Sequence, residues 1–172
     1  MSRDQLVTDW VASRFPNQSV EITPASADAS FRRYFRLTWP EGGTRILMDA
    51  PPDKEDCKPF IHVAGLLAKA GLAAPHVVDQ DLVNGFLVLT DLGRIGYLDA
   101  LNADLSLADT LMRPVLDVLV KWQLSSRAST LPPYDATLLR RELDLFPEWF
   151  VGRHLGYELS GDEKVMLDRI FR

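Results

Sequence analysis

The sequence predicts an α+β chain: a five-stranded antiparallel lobe with helices, followed by the first helices of an α-helical lobe. Three observations carry this reading. The first half holds short alternating or wholly apolar runs separated by turn residues, the mark of strands. Beyond about residue 93 the strand patterns stop and helical spacing takes over. Between the two lies Gly85-Phe86-Leu87-Val88-Leu89-Thr90-Asp91-Leu92-Gly93, an apolar run closed on both sides by turn residues. It reads as a buried strand followed by a sharp change of direction. A strand that hands the chain from a sheet to helices leaves main-chain groups past its end without ladder partners, at the wall of a cleft.

Ser2 can cap a helix whose apolar positions Leu6, Val7, Trp10 and Val11 recur at helical spacing, and Pro16 ends it. Val20 to Thr23 reads as a short strand, and Pro24 to Ser30 as a small polar turn. From Phe31 to Trp39 the odd positions alternate with Arg32, Tyr34, Arg36 and Thr38, as in a half-buried strand. Pro40-Glu41-Gly42-Gly43 is a hairpin turn, and Thr44 to Ala50 returns as the third strand. Asp53 or Asp56 then starts a helix with Phe60, Ile61, Ala64, Leu66 and Leu67 inward, closed by Gly71. His76 to Gln80 is the fourth strand, and Asn84-Gly85 turns the chain into the fifth.

Tyr97 to Leu101 reads as a helical turn, and Ser106-Leu107-Ala108-Asp109 as a capping box for a long helix to about Ser126. Its apolar positions, Leu111, Val115, Leu116, Val118, Leu119 and Trp122, cover more than one face, so burial in a helical body is expected. Leu131-Pro132-Pro133 is a linker. Asp135 caps the next helix, which Pro147 must break or restart, and Gly156 ends the following piece. Ser160-Gly161-Asp162-Glu163 caps a last helix whose apolar face meets no stop signal before Arg172, as if the chain were cut there.

Composition narrows the function. A net charge of −5 without a basic stripe argues against nucleic acid and anionic membrane as partners. One cysteine, Cys57, allows no internal disulfide and is expected to be structural; His62, His76 and His154 show no ligand spacing. No signal-peptide core or membrane-length run occurs, so the expectation is a soluble cytoplasmic protein acting on small molecules. Glu55, Asp56, Asp91, Asp99 and Asp109 form no spaced metal pair and read as caps or surface charges, and His62 as a core histidine.

The turn Ala25 to Ser30 has small residues that let a backbone approach a phosphate, with Ser26, Ser30, Arg32 and Arg33 as donors. The same composition also suits an ordinary solvated hairpin loop. Of Arg32 and Arg33, one faces the cleft and the other solvent, because neighbours on a strand point to opposite sides.

Four segments carry a resemblance: Ala27 to Leu37, Ile46-Leu47-Met48-Asp49-Ala50-Pro51-Pro52, Leu87-Val88-Leu89-Thr90-Asp91-Leu92-Gly93, and Tyr134-Asp135 with Leu138 to Phe150. In this order, over essentially the whole chain, they resemble the aminoglycoside-phosphotransferase-like kinases, a protein-kinase-like fold. Within these they look most like the anomeric kinases that phosphorylate N-acetylmuramate and N-acetylglucosamine in cell-wall recycling. The resemblance implies a nucleotide-binding lobe at 1–92, and the hinge and start of a helical lobe at 93–172. It implies ATP and Mg2+ as cofactors. The turn through Ser30 would cover the phosphates and main chain at Thr90 to Leu92 would hold adenine. The candidate nucleotide contacts are therefore Ser26, Ser30, Arg32, Arg33, Met48, Thr90, Asp91 and Leu92.

Two departures qualify the implication. The family's His-x-Asp catalytic loop, its following Asn and a later metal-binding Asp should come after a region like Glu163 to Phe171. No catalytic or metal residue is therefore assigned, and this chain alone is expected to be inactive. The third-strand lysine of kinase-like folds is matched by Met48, and the helix after it has no acid. Arg32, Arg33 or Lys54 would have to supply the charge. The alternatives are a non-catalytic nucleotide-binding or protein-interaction module that self-associates through Asp162 to Arg172, and a related kinase with an aminoglycoside, choline or homoserine acceptor.

Overall fold

The computed structural model describes residues 1–27 and 30–171. The chain forms two compact units, Met1–Ser126 and Arg127–Arg172.

The first unit is built on a five-stranded antiparallel sheet. Its strands are β1 (Glu21–Ala27), β2 (Arg33–Thr38), β3 (Thr44–Asp49), β4 (Val77–Asp81) and β5 (Phe86–Thr90), in the order β1-β2-β3-β5-β4. The run expected to organise the chain is the most enclosed strand: Phe86 to Leu89 are buried, between β3 and β4. Its alternate side chains divide the core in two, as the pleat requires. Phe86 and Val88 join Leu37 and Leu47 under helix α1 (Arg3–Arg14), which contributes Val7, Trp10 and Val11. Leu87 and Leu89 join Met48, Ala50 and Cys57 on the other face, with Phe60 and Ile61 of helix α2 (Cys57–Lys69) against them.

Polar contacts fix α1 on its face. The Ser2 hydroxyl accepts from the Gln5 N–H at 3.2 Å, the expected N-cap. The Trp10 indole lies 5.0 Å from Phe86 and donates to Asp81 at 2.8 Å, while Arg14 forks onto Asp79. Asp49, with 0% of its side chain exposed, accepts from Arg3 Nε at 2.7 Å and from Arg33 at 2.6 and 2.9 Å, and Arg3 Nη2 pairs with it at 2.6 Å. Arg3 also donates to the Asn84 carbonyl, so one buried carboxylate ties α1, β2, β3 and the β4–β5 turn together. In that turn Gly85 has φ +72° and a Cβ there would sit 1.9 Å from the Ala50 carbonyl oxygen, so only glycine fits.

Several sequence expectations are corrected. The first strand continues past Thr23 to Ala27, because a bulge between Pro24 and Ser26 absorbs the proline that lacks an N–H. Asp56, not Asp53, caps α2. His62 is exposed on α2 rather than in the core. After β5 come α3 (Tyr97–Ala103), a 3-10 turn at Leu105–Leu107 and α4 (Ala108–Ser125). Ser106 does not cap α4: it lies in the 3-10 turn, where its N–H and hydroxyl both donate to Asp104. Nor is α4 buried, since among the described residues it contributes none to the core. Lys121 attaches it to the Gly71 carbonyl at 2.7 Å, at the negative end of α2.

In the second unit, residues 127–135 carry no regular structure, which agrees with a linker at Leu131-Pro132-Pro133. Asp135 caps α5 (Ala136–Leu145) by accepting from the Leu138 N–H at 2.9 Å. Pro147 does not stop the chain; the helix widens into π-type turns at Phe146–His154, with the proline in the first turn where no N–H is needed. Gly156 follows with φ +64°. Ser160 and Glu163 make the expected capping box of α6 (Gly161–Ile170), and Arg140 joins α5 to α6 through Asp168 at 2.6 Å.

Candidate functional site

The face of the sheet that packs α2 leaves a cleft of about 480 Å³ at the end of β5. Its apolar lining includes Ile46, Phe60, Pro75 and Leu89; Ala25, Ser26, Tyr34, Arg36 and residues 90–96 complete it. An apolar slot of this size edged by a few polar groups is the usual form of a small-molecule site.

Two anchors hold the chain where it leaves β5. Upstream, the Thr90 N–H donates to the His76 carbonyl at 3.0 Å, and the Thr90 hydroxyl accepts from the His76 N–H at 2.9 Å. Downstream, Arg36 of β2 donates through Nε to Asp91 Oδ2 at 2.6 Å, and through Nη2 to Asp91 Oδ1 at 3.1 Å and the Gly93 carbonyl at 2.8 Å. The Gly93 N–H closes the turn onto Asp91 Oδ1 at 2.9 Å. The pair is shielded, with 8% of the Arg36 and 6% of the Asp91 side chain exposed. The Arg36 guanidinium, helped by the Gly93 N–H and the Thr44 hydroxyl, holds the Asp91 carboxyl well below the usual carboxylate range, against the opposing effect of burial. Between the anchors, the main-chain N–H and C=O groups of Asp91 and Leu92 make no hydrogen bond among the described residues. Donors and acceptors aligned beside an apolar slot can grip the edge of a flat heterocycle.

Half of the residues predicted from sequence meet in this cleft. Ser26, Thr90, Asp91 and Leu92 line it, although the N–H of Thr90 is engaged by His76. Ser30 and Arg32 pair with each other outside the lining, the Ser30 hydroxyl accepting from the Arg32 N–H at 3.2 Å and from its Nε at 2.9 Å. Asp28 and Ala29, in the turn expected over phosphates, lie outside the described residues. Arg33 takes the opposite face, bonded to Asp49 and to Asp4 of α1. Met48 is 1% exposed and packs with Ala50, Cys57, Leu87 and Leu89. Cys57 is buried as expected, and burial pushes its thiol pKa up. Among the described residues no group of three or more His, Cys, Asp or Glu could hold a metal ion, and no helix is long and apolar enough to cross a membrane.

The sequence model of the phosphotransferase enzyme family matches residues 21–171. The chain belongs to this family. Its fold is accordingly the protein-kinase-like α+β fold. Among curated proteins, the chain is 49% identical to an N-acetylmuramate/N-acetylglucosamine kinase of Pseudomonas aeruginosa, with 98% of this chain and 52% of that protein aligned. It is 48% identical to a kinase of the same name from Pseudomonas putida, over 87% of this chain and 43% of that protein. A third of that name, from Neisseria meningitidis, is 38% identical over 93% and 48%. The chain thus spans about half the length of the curated relatives it matches.

Sequence reasoning missed Arg36, Tyr34, Phe60 and Arg94 as cleft residues. Arg36 had one readable signal. It shares a strand face with Tyr34, and an arginine on a face that otherwise packs a core needs an acid; Asp91, with Gly93 two residues on, is the acid at the end of the central strand.

Proposed function

We propose that this chain is the N-terminal part of a small-molecule kinase that moves the γ-phosphate of ATP to a hydroxyl of an amino sugar such as N-acetylmuramate or N-acetylglucosamine. The observation that carries the nucleotide half is the pair of main-chain positions unpartnered among the described residues, Asp91 and Leu92, beside the apolar lining of Ile46, Phe60 and Leu89. The acceptor half is supported by the names of the relatives. In this reading residues 1–92 are the nucleotide-binding lobe, and 93–172 are the hinge and the start of the substrate lobe. Adenine lies against Asp91 and Leu92, and the phosphates extend toward Ser26, with Ser30, Arg32 and Arg94 as candidate donors. Arg33 and Met48 keep structural positions. The setting is cytoplasmic, where ATP and small sugars meet.

Phosphoryl transfer depends on positioning and on neutralising charge, which Mg2+ bound to the nucleotide phosphates supplies. In this reading the ligands of that ion and the catalytic base lie outside residues 1–172. A second reading, a nucleotide-binding or protein-interaction module without catalysis, is favoured by one observation: Met48 is buried where kinase-like folds carry a lysine.

The test compares the full-length protein with residues 1–172 for ADP release from ATP, Mg2+ and N-acetylated amino sugars. Turnover by the full-length protein alone is expected. Turnover by residues 1–172 would refute the division of labour. Full-length turnover only with an aminoglycoside, choline or homoserine would refute the acceptor, and nucleotide binding without turnover on any acceptor would favour the module.

A further inference from the structure

Arg36 is the most enclosed cation in the cleft, and its Nε and Nη2 both hold one segment of chain. We infer that Arg36 is a positioning residue for the nucleobase: it fixes the main chain of Asp91 and Leu92 in the orientation that receives the base, and it does not contact phosphate. This rests on the nucleotide reading of the cleft given above.

The geometry separates these roles. A phosphate-binding arginine needs N–H groups aimed at open space, whereas the Arg36 fork meets both Asp91 oxygens and the Gly93 carbonyl at 2.6 to 3.1 Å. Its charge is matched by Asp91 at the same spot, so the pair presents little net field to an anion. The contacts bracket the three-residue stretch Asp91-Leu92-Gly93 at both ends, through the first carboxylate and the last carbonyl. Thr90 is pinned separately by His76. The two residues left between the anchors are those whose N–H and C=O groups have no partner among the described residues. A shielded ion pair is weak evidence for stability, since desolvation offsets much of the attraction. Holding a fixed geometry is a use that the pair's position at the exit of β5 supports. Pre-ordered donors raise affinity because less freedom is lost on binding.

The experiment is calorimetric titration of the parent protein, Arg36→Met and Arg36→Lys with adenosine and with ATP, alongside circular dichroism to verify folding. Adenosine carries no phosphate, so it isolates the base end. With Arg36→Met both ligands should weaken by the same factor, about tenfold or more, as expected when pre-organisation is lost. Lysine keeps the charge but not the planar fork, so Arg36→Lys should weaken both equally by roughly threefold or more. If Arg36→Met fails to fold, the lysine variant carries the test alone. Loss confined to ATP with adenosine unchanged would mean a phosphate contact and would overturn the inference. Unchanged affinity for both ligands in a folded Arg36→Lys would overturn it as well, leaving the nucleotide reading intact. Failure of the parent protein to bind either ligand would overturn the nucleotide reading and the inference together.

Discussion

Asp49 offers the sharpest test of how the first unit is held together. Its carboxylate is 0% exposed and accepts three charge-assisted hydrogen bonds, one from Arg3 and two from Arg33, with Arg3 Nη2 as a further ion-pair contact. Asp49→Ala removes the acceptor but leaves two guanidinium groups that are 26% and 40% exposed and can rehydrate. Charged hydrogen bonds contribute roughly 1.5–3 kcal/mol each and do not add, and rehydration returns part of the loss, so the expected cost is about 3 kcal/mol. Replacing both arginines by methionine does the opposite, leaving a buried carboxylate with no cation. Stranding one member of a buried pair costs roughly 3–5 kcal/mol, and with both partners gone the upper end, about 5 kcal/mol, is expected. At about 4 °C per kcal/mol for a unit of this size, melting should fall by about 12 °C and about 20 °C respectively. Urea denaturation at pH 7, followed by circular dichroism, measures both. If Asp49→Ala proved as costly as the double arginine variant, or either cost less than about 1 kcal/mol, the argument from asymmetric burial would be wrong.

The Arg36–Asp91 pair should be pH-sensitive in a defined direction. Because the folded Asp91 carboxyl sits below its ordinary value of about 4, its contribution is complete above that value and is lost as pH falls through the depressed folded one. Unfolding curves should therefore show the cost of Arg36→Met undiminished from pH 7 to about 5 and shrinking below about 4; a cost that grows toward acid would contradict this. Gly85→Ala meets both a left-handed φ and the Ala50 carbonyl, and should cost at least about 3 kcal/mol in the same assay. By contrast, Gly65→Ala lies inside α2 with open space around it and should stabilise by about 0.5–1 kcal/mol. In the second unit, Ser160→Ala removes the reciprocal cap of α6 and should reduce stability by about 1 kcal/mol, read as earlier loss of helical signal on heating.

Much of the architecture was legible because it rests on local chemistry. The alternation of Phe35 and Leu37, the Gly42-Gly43 and Asn84-Gly85 turns, and the caps at Ser2, Asp135 and Ser160 each depend on residues a few positions apart. Periodicity and turn preference report such contacts directly. The run Phe86 to Leu89 announced a strand buried on both faces. Where sequence and structure differ, one cause is local and the other distant. Ser106 looks like a cap, but Asp104 two residues earlier takes its hydroxyl. The face of a strand on which an arginine lies is set by parity, yet whether it meets ligand or protein depends on what the fold brings beside it. Asp49 and Asp4 claim Arg33, while Asp91, 55 residues away, claims Arg36. Sequence by itself determined the strands, the turns and the place where the chain leaves the sheet, since these follow from near-neighbour sterics and hydrogen bonding. Only the tertiary structure decided which charges pair, because burial makes an unpaired charge too costly to leave and the nearest opposite charge in space is not the nearest in sequence.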